Sequence, residues 1–200
     1  MTVQMMKKIG ILSDTHGLLR PEVLDELQDC NAILHGGDIN RQDIIDTLRE
    51  MAPLYVVRGN NDKEWAEGLP AFLDFSLFGL QIFMTHKKKD LPNDLSGYDL
   101  VIYGHSHRYE EKREGRTLLL NPGSCGPRRF NQDITMAALT LDDGGMIREL
   151  RRIDIPHEAG KAERTIPREN IDRGQVERVI REIRKGRSVS RIAASLKMEP

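Results

Sequence analysis

The sequence predicts an α/β fold in which two mixed β-sheets are packed between helices. Three observations carry that prediction. Short apolar runs alternate with helical patterns through the first third of the chain, the middle turns to hairpins and further apolar runs, and polar clusters follow directly on several of those runs. With 200 residues the chain can bury a substantial core without disulfides.

The opening reads as a βαβαβ unit. Ile9 to Leu12, Ala32 to Leu34 and Leu54 to Val57 are continuous apolar runs of the kind found in strands buried on both faces. Between them, Pro21 to Leu27 places a proline at a helix start with Val23, Leu24 and Leu27 at helical spacing. Asp43 to Met51 repeats the arrangement with Ile44, Ile45 and Leu48. Next, Asp74 to Phe78 and Leu80 to Met84 flank Gly79 as a hairpin, and Leu100 to Tyr103 is another buried strand. Further strands are expected over Glu110 to Glu114, Arg116 to Leu120, Thr135 to Leu141 and Met146 to Ile155, with Gly115 and Asp143-Gly144-Gly145 as turns.

From about Gly160 the composition turns polar and basic, so residues 1–160 are read as one domain and 161–200 as a C-terminal extension. After Pro167, Val176, Val179, Ile180 and Ile183 share one helical face, and Gly186 ends the pattern. A shorter helix capped by Ser188 or Ser190 presents Val189, Ile192, Ala193 and Leu196, which makes the extension a helical hairpin.

Charge divides the same way. Residues 161–200 hold 11 Lys+Arg against 6 Asp+Glu, a net of +5, and the remainder holds 19 against 25, a net of −6. An acidic body that handles an anionic ester needs a cation to do so, whereas a basic tail suits an acidic surface or nucleic acid. The two cysteines, Cys30 and Cys125, form no metal-binding or redox spacing and read as small core residues in a reducing compartment. Met1 to Lys8 lacks a signal-peptide core, and no apolar stretch is long enough to cross a bilayer, so a cytoplasmic protein is expected.

Metal-capable clusters lie just after predicted strands: Asp14-Thr15-His16, Gly37-Asp38, Gly59-Asn60-Asn61-Asp62, Thr85-His86 and Gly104-His105-Ser106-His107. In an open α/β sheet the carboxyl ends of adjacent strands line one crevice, so these clusters are expected to converge. All the donors are nitrogen or oxygen, which suits manganese, iron, nickel or zinc better than a thiolate site. The Asp-x-His and His-x-His spacings are read as extended segments whose alternate side chains point the same way. Gly37, Gly59 and Gly104 are read as tight turns beside the ions.

The order DTH, GGD, GNND, TH, GHSH resembles the calcineurin-like metallophosphoesterase superfamily, and the short chain resembles its small phosphodiesterase branch. Asn121-Pro122-Gly123-Ser124 with Pro127-Arg128 is similar to that branch as well. The resemblance implies a four-layer sandwich and a phosphoesterase, expected to act on diesters. It further implies two divalent ions, with manganese the first candidate. Asp14, His16 and His107 would hold one ion, Asn60, His86 and His105 the other, and Asp38 would bridge them. Asp38, Asn60 and His105 are the expected catalytic residues. Two such ions, roughly 3.5 to 4 Å apart, would share an activated hydroxide that attacks phosphorus. Asn61 stands where relatives carry a His or Cys, which removes a proton donor for the leaving group and favours diesters with good leaving groups. Lys87 stands where relatives often carry Gly. The alternative is a metal-binding scaffold on the same fold, as in a vacuolar-sorting relative that binds partners.

Other residues are read more plainly. His35 is either an orienting partner of the ligands or a satisfied core histidine, and His157 is read as exposed. Lys87, Lys88 and Lys89 are read as a solvated face in preference to a contact with substrate phosphate, and Trp65 as filling a core in preference to stacking on a substrate. Ser188 to Lys197 resembles the start of a helix-turn-helix, but the chain ends where a recognition helix would begin. Packing of the hairpin on the body or on another subunit is therefore favoured over nucleic-acid binding.

Overall fold

The computed structural model describes residues 6–129 and 132–156. The expected helical extension at 161–200 and His157 lie outside the described residues.

Among the described residues ten strands and two α-helices form, in the order β1 (Lys7–Leu12), α1 (Pro21–Leu27), β2 (Ala32–His35), α2 (Gln42–Met51), β3 (Leu54–Val56), β4 (Phe72–Leu77), β5 (Leu80–Thr85), β6 (Leu100–Ile102), β7 (Tyr109–Glu114), β8 (Thr117–Pro122), β9 (Thr135–Leu141) and β10 (Ile147–Asp154). They make two mixed five-stranded sheets, ordered β10-β9-β1-β2-β3 and β4-β5-β6-β8-β7. In the first sheet β1, β2 and β3 run parallel, and β9 and β10 add antiparallel strands at the β1 edge. In the second, β5, β6 and β8 run parallel, flanked by antiparallel β4 and β7.

Strand alternation sorts the apolar side chains into layers. Ile9, Ile11, Ala32, Leu34, Ala137 and Leu139 of the first sheet meet Ile82, Met84, Leu100, Ile102, Leu118 and Leu120 of the second in a core between the sheets. The opposite face of the first sheet, with Leu12, Ile33 and Met136, buries Val23 and Leu27 of α1 and Ile44, Ile45 and Leu48 of α2. Burial of these side chains, worth about 1.5–3 kcal/mol each for the larger ones, holds both short helices in place. On the far side of the second sheet, Phe83, Val101, Tyr103 and Leu119 are covered by Leu91, Leu95 and Tyr98. That cover comes from the β5–β6 connection, whose regular part is a short 3-10 turn at Lys88–Asp90. Among the described residues no helix is long and apolar enough to cross a membrane.

The carboxyl ends of the parallel strands of both sheets open at the same end of the sandwich. Six loops leave from there, after β1, β2, β3, β5, β6 and β8.

Candidate metal centre

Two groups of side chains assemble from these loops. Asp14, His16 and His107 form one, and Asp38, His86 and His105 form the other. In each group one donor atom per residue lies within 4.8 Å of the others. Each group takes donors from both sheets, since Asp14, His16 and Asp38 follow β1 and β2 while His86, His105 and His107 follow β5 and β6.

In the first group Asp14 is fully buried and divides its carboxylate between two tasks. Oδ2 accepts the Ser13 hydroxyl at 2.6 Å and the His105 amide at 3.0 Å. Oδ1 is buried with no hydrogen-bond partner and faces His107 Nε2 at 3.1 Å and His16 Nε2 at 3.6 Å. The two imidazole Nε2 atoms are 3.0 Å apart. Burial alone would raise the Asp14 carboxyl, but the His107 and His16 rings outweigh it and hold the group far below the usual carboxylate range.

In the second group the His86 tautomer follows from its neighbours. Nδ1 lies 2.8 Å from the Gly36 carbonyl, which can only accept, so Nδ1 carries a proton. Nε2 is then left buried without a hydrogen-bond partner, 3.4 Å from Asp38 Oδ2. Burial pushes the His86 pKa down, but Asp38 wins and raises it. Burial pushes Asp38 up, and His86 with the Asn61 amide brings it down. Asp38 Oδ2 also lies 3.8 Å from His16 Nε2, which places this carboxylate between the two groups. His105 is exposed at the rim, and burial of its ring together with the His86 and Lys87 charges lowers its pKa.

An orphaned carboxylate oxygen beside two imidazole nitrogens, and an orphaned imidazole nitrogen beside a carboxylate, are costly when buried. A divalent cation in each group would satisfy both defects, and nitrogen and oxygen donors are the set that borderline divalent metals take. The residues present fit the ions that the motif order implies.

The backbone differs from the sequence expectation here. Of the seven non-glycine residues with positive φ among those described, six lie in these loops: Asp14 at 55°, His16 at 45°, Asp38 at 56°, Asn40 at 67°, His105 at 72° and His107 at 58°. The Asp-x-His and His-x-His pairs are thus not extended segments. Their donors sit in the left-handed region, which Asp, Asn and His tolerate better than other side chains at a cost of roughly 1 kcal/mol or more each. Inter-loop hydrogen bonds offset that strain, with the Asp14 amide donating to the Gly37 carbonyl at 3.0 Å and the His16 amide to the Asp38 carbonyl at 2.9 Å.

Several residues that the sequence left in the background hold this arrangement. The buried Asp62 carboxylate accepts four amides, those of Asp38 (3.0 Å), Ile39 (2.8 Å), Asn40 (2.7 Å) and Gly59 (2.8 Å). Asn61 clasps Asp38 from the other side, its amide donating to Oδ1 at 2.7 Å and its side-chain Nδ2 to Oδ2 at 2.6 Å. Asn121 Nδ2 donates to the Gly104 carbonyl and to Ser106 Oγ, and Ser124 Oγ donates to the Asp14 carbonyl. A methyl group at Gly59 would overlap the Asp38 amide and carboxylate, and one at Gly104 would overlap Ser13 Oγ, so the two glycines are required by close approach.

His35 is a fully buried histidine with both ring nitrogens satisfied, bonded to residues of the loops that carry the donors. Its Nδ1 accepts the Gly37 amide at 3.1 Å, which puts the proton on Nε2, and Nε2 then donates to Thr15 Oγ1 at 3.1 Å. Complete burial pushes its pKa down to about 4, so it stays neutral. Asn60 is exposed at the same rim, directly after Gly59. Trp65 packs partly buried against the helical core, and Lys88 pairs with Glu110 at 2.5 Å on the exposed surface; both match their plainer readings.

Residues 6–144 match the family model of the calcineurin-like phosphoesterase superfamily domain, and the chain belongs to that superfamily. A probable metallophosphoesterase from Methanothermobacter thermautotrophicus is 30% identical over 162 residues, covering 74% of this chain and 94% of the relative. A phosphodiesterase from Methanocaldococcus jannaschii is 31% identical over 140 residues, covering 59% of this chain and 84% of the relative. Among solved structures, an archaeal phosphodiesterase superposes with a TM-score of 0.57 at 26% identity, covering 74% of this chain and 99% of its own. Vacuolar protein sorting 29 from Cryptosporidium parvum superposes with a TM-score of 0.60 at 16% identity, covering 75% and 99%, a likeness of fold alone.

Proposed function

We propose that this chain is a phosphodiesterase that works with two divalent ions, manganese first among the candidates. Asp14, His16 and His107 hold one ion, and Asn60, His86 and His105 the other. Asp38 is shared between them. The single observation that carries this reading is the pair of buried, unpartnered donor atoms, Asp14 Oδ1 and His86 Nε2, each facing groups of complementary donor chemistry. The bound ions supply Lewis-acid neutralisation of phosphoryl charge and activation of water at neutral pH.

The chain's own part is to hold and to orient. Asp62, Asn61, His35 and Asn121 fix the ligand loops before any substrate arrives, so little reorganisation is left for the reaction. Asn61 carries a neutral amide and cannot give a proton to a departing alkoxide. This favours esters whose leaving group departs as a stable anion, which is the reason for preferring diesters of that kind.

Metal analysis of the purified chain together with a panel of mono-, di- and cyclic phosphates tests the proposal. Turnover of a chromogenic diester should depend on added divalent metal and vanish in Asp38→Ala. An Asp38→Ala rate equal to that of the unaltered chain would sink it, and metal binding with no turnover of any ester would favour the scaffold reading.

A further inference from the structure

His86 and His16 offer their inward nitrogens on different terms. His86 Nδ1 donates to the Gly36 carbonyl at 2.8 Å, and a carbonyl can only accept, so its Nε2 is already bare. His16 faces a side-chain amide instead. Its Nε2 turns inward, 3.6 Å from Asp14 Oδ1, 3.8 Å from Asp38 Oδ2 and 3.0 Å from His107 Nε2, while its Nδ1 lies 3.3 Å from Asn40 Nδ2. An amide nitrogen can only donate, so in this arrangement Nδ1 is bare and the ring hydrogen sits on Nε2, the very atom that a cation needs free. The other end of the same amide is idle, since Asn40 Oδ1 is buried with no hydrogen-bond partner among the described residues. The backbone beneath it is fixed, with φ at 67° and the Asn40 amide donating to Asp62 Oδ1 at 2.7 Å.

We propose that Asn40 is a positioning residue for the cation of the Asp14, His16 and His107 group: half a turn of its side-chain amide brings Oδ1 onto the His16 Nδ1 hydrogen and leaves Nε2 bare toward the ion. The proposal rests on the two-ion reading and deepens it. The ring stays neutral throughout, because one proton leaves Nε2 and one is taken up at Nδ1. The amide trades one hydrogen bond for another, as Nδ2 gives up its bond to the ring and the idle oxygen gains one. The bond gained is the stronger, since an imidazole that ligates a cation through one nitrogen becomes a more polar donor at the other, and an oxygen placed there fixes the plane of the ring. Asparagine suits this place on two counts. It tolerates the left-handed backbone, and it carries an acceptor and a donor on one short side chain.

The test uses the full chain and reads metal binding and ring chemistry rather than turnover. In calorimetric titration with manganese, Asn40→Gly, which keeps the left-handed backbone free of strain, should weaken one binding event by about 10- to 100-fold and leave the other within about twofold. Asn40→Asp, which restores an acceptor without a donor, should recover the lost affinity. Nitrogen NMR of the zinc-loaded, unaltered chain with labelled histidine, at about two pH units above the ordinary imidazole pKa, should find the His16 hydrogen on Nδ1. This spectrum needs no variant, so it decides the matter even if a substitution unfolds the chain. Unchanged affinity in Asn40→Gly, an Asn40→Asp chain as weak as Asn40→Gly, or a zinc-loaded His16 with its hydrogen on Nε2 overturns the inference. Uptake of both ions with any of these results overturns it alone, whereas failure of the unaltered chain to take up either metal overturns the two-ion reading and this inference with it.

Discussion

The Asp62 carboxylate accepts the backbone amide of Asp38 at 3.0 Å while Asn61, its chain neighbour, clasps the Asp38 carboxylate from the opposite side. One short stretch of chain thus fixes both the backbone and the side chain of the residue that lies between the two donor groups. Removing Asp62 leaves four amides to find other acceptors in a buried setting.

Asp62→Ala should therefore lower stability by about 3 kcal/mol or more, because each lost bond to a charged acceptor is worth roughly 1.5–3 kcal/mol and buried amides are left unpaired. Urea unfolding measures this. A loss below 1 kcal/mol would show that the carboxylate is not the support it is described to be. Metal affinity, followed by titration, should fall in the same variant.

Gly59→Ala should be nearly as damaging. The added methyl overlaps the Asp38 amide and carboxylate, and the amide cannot retreat because Asp62 holds it. Overpacking of this kind costs typically 1–3 kcal/mol. Diester turnover should drop at least a hundredfold, whereas Gly68→Ala, where a methyl meets nothing, should change neither quantity.

His35 predicts an acid-side loss of stability. Its folded pKa of about 4 lies below its ordinary value of 6.5 because the ring is buried, so below pH 6.5 the unfolded chain takes up a proton that the folded chain refuses. The stability this group contributes above pH 6.5 is lost as pH falls toward 4. Between pH 7 and pH 4.5 the loss is about 2 kcal/mol. Unfolding free energies of the unaltered chain and of His35→Gln at the two pH values should differ in slope by that amount, and parallel slopes would refute the assignment.

The cysteines should be inert in the folded protein. Burial pushes the Cys125 thiol up to about 12 and the Cys30 thiol up to about 11, and neither is accessible. A thiol reagent at pH 8 should label neither residue in buffer and both in urea, as read by mass spectrometry.

Much of this was legible in the sequence. Apolar runs such as Ile9 to Leu12 and Leu100 to Ile102 announced buried strands because burial on both faces leaves no room for alternation. The two donor groups are legible because clusters of donors follow strands whose carboxyl ends point one way. Asp62 and Asn61 are visible as residues but not as supports, since their contacts cross between loops and depend on distances that no local pattern encodes. The left-handed backbone at Asp14, His16, His105 and His107 departs from the extended segments that the spacing suggests, because the alternation of donors is the same in either conformation. The short 3-10 turns at Glu64–Ala66 and Lys88–Asp90 carry no periodicity long enough to detect.

Both donor trios straddle the seam between the sheets, with Asp14 and His16 facing His107 and Asp38 facing His86 and His105. Any cation seated in them therefore acts as a rivet through the open end of the sandwich, at the place where the hydrophobic layer between the sheets stops. Chelation should loosen that end ahead of the rest, so that amide exchange after EDTA treatment rises first in the loops following β1, β2, β5 and β6 and spreads only later into the strands themselves.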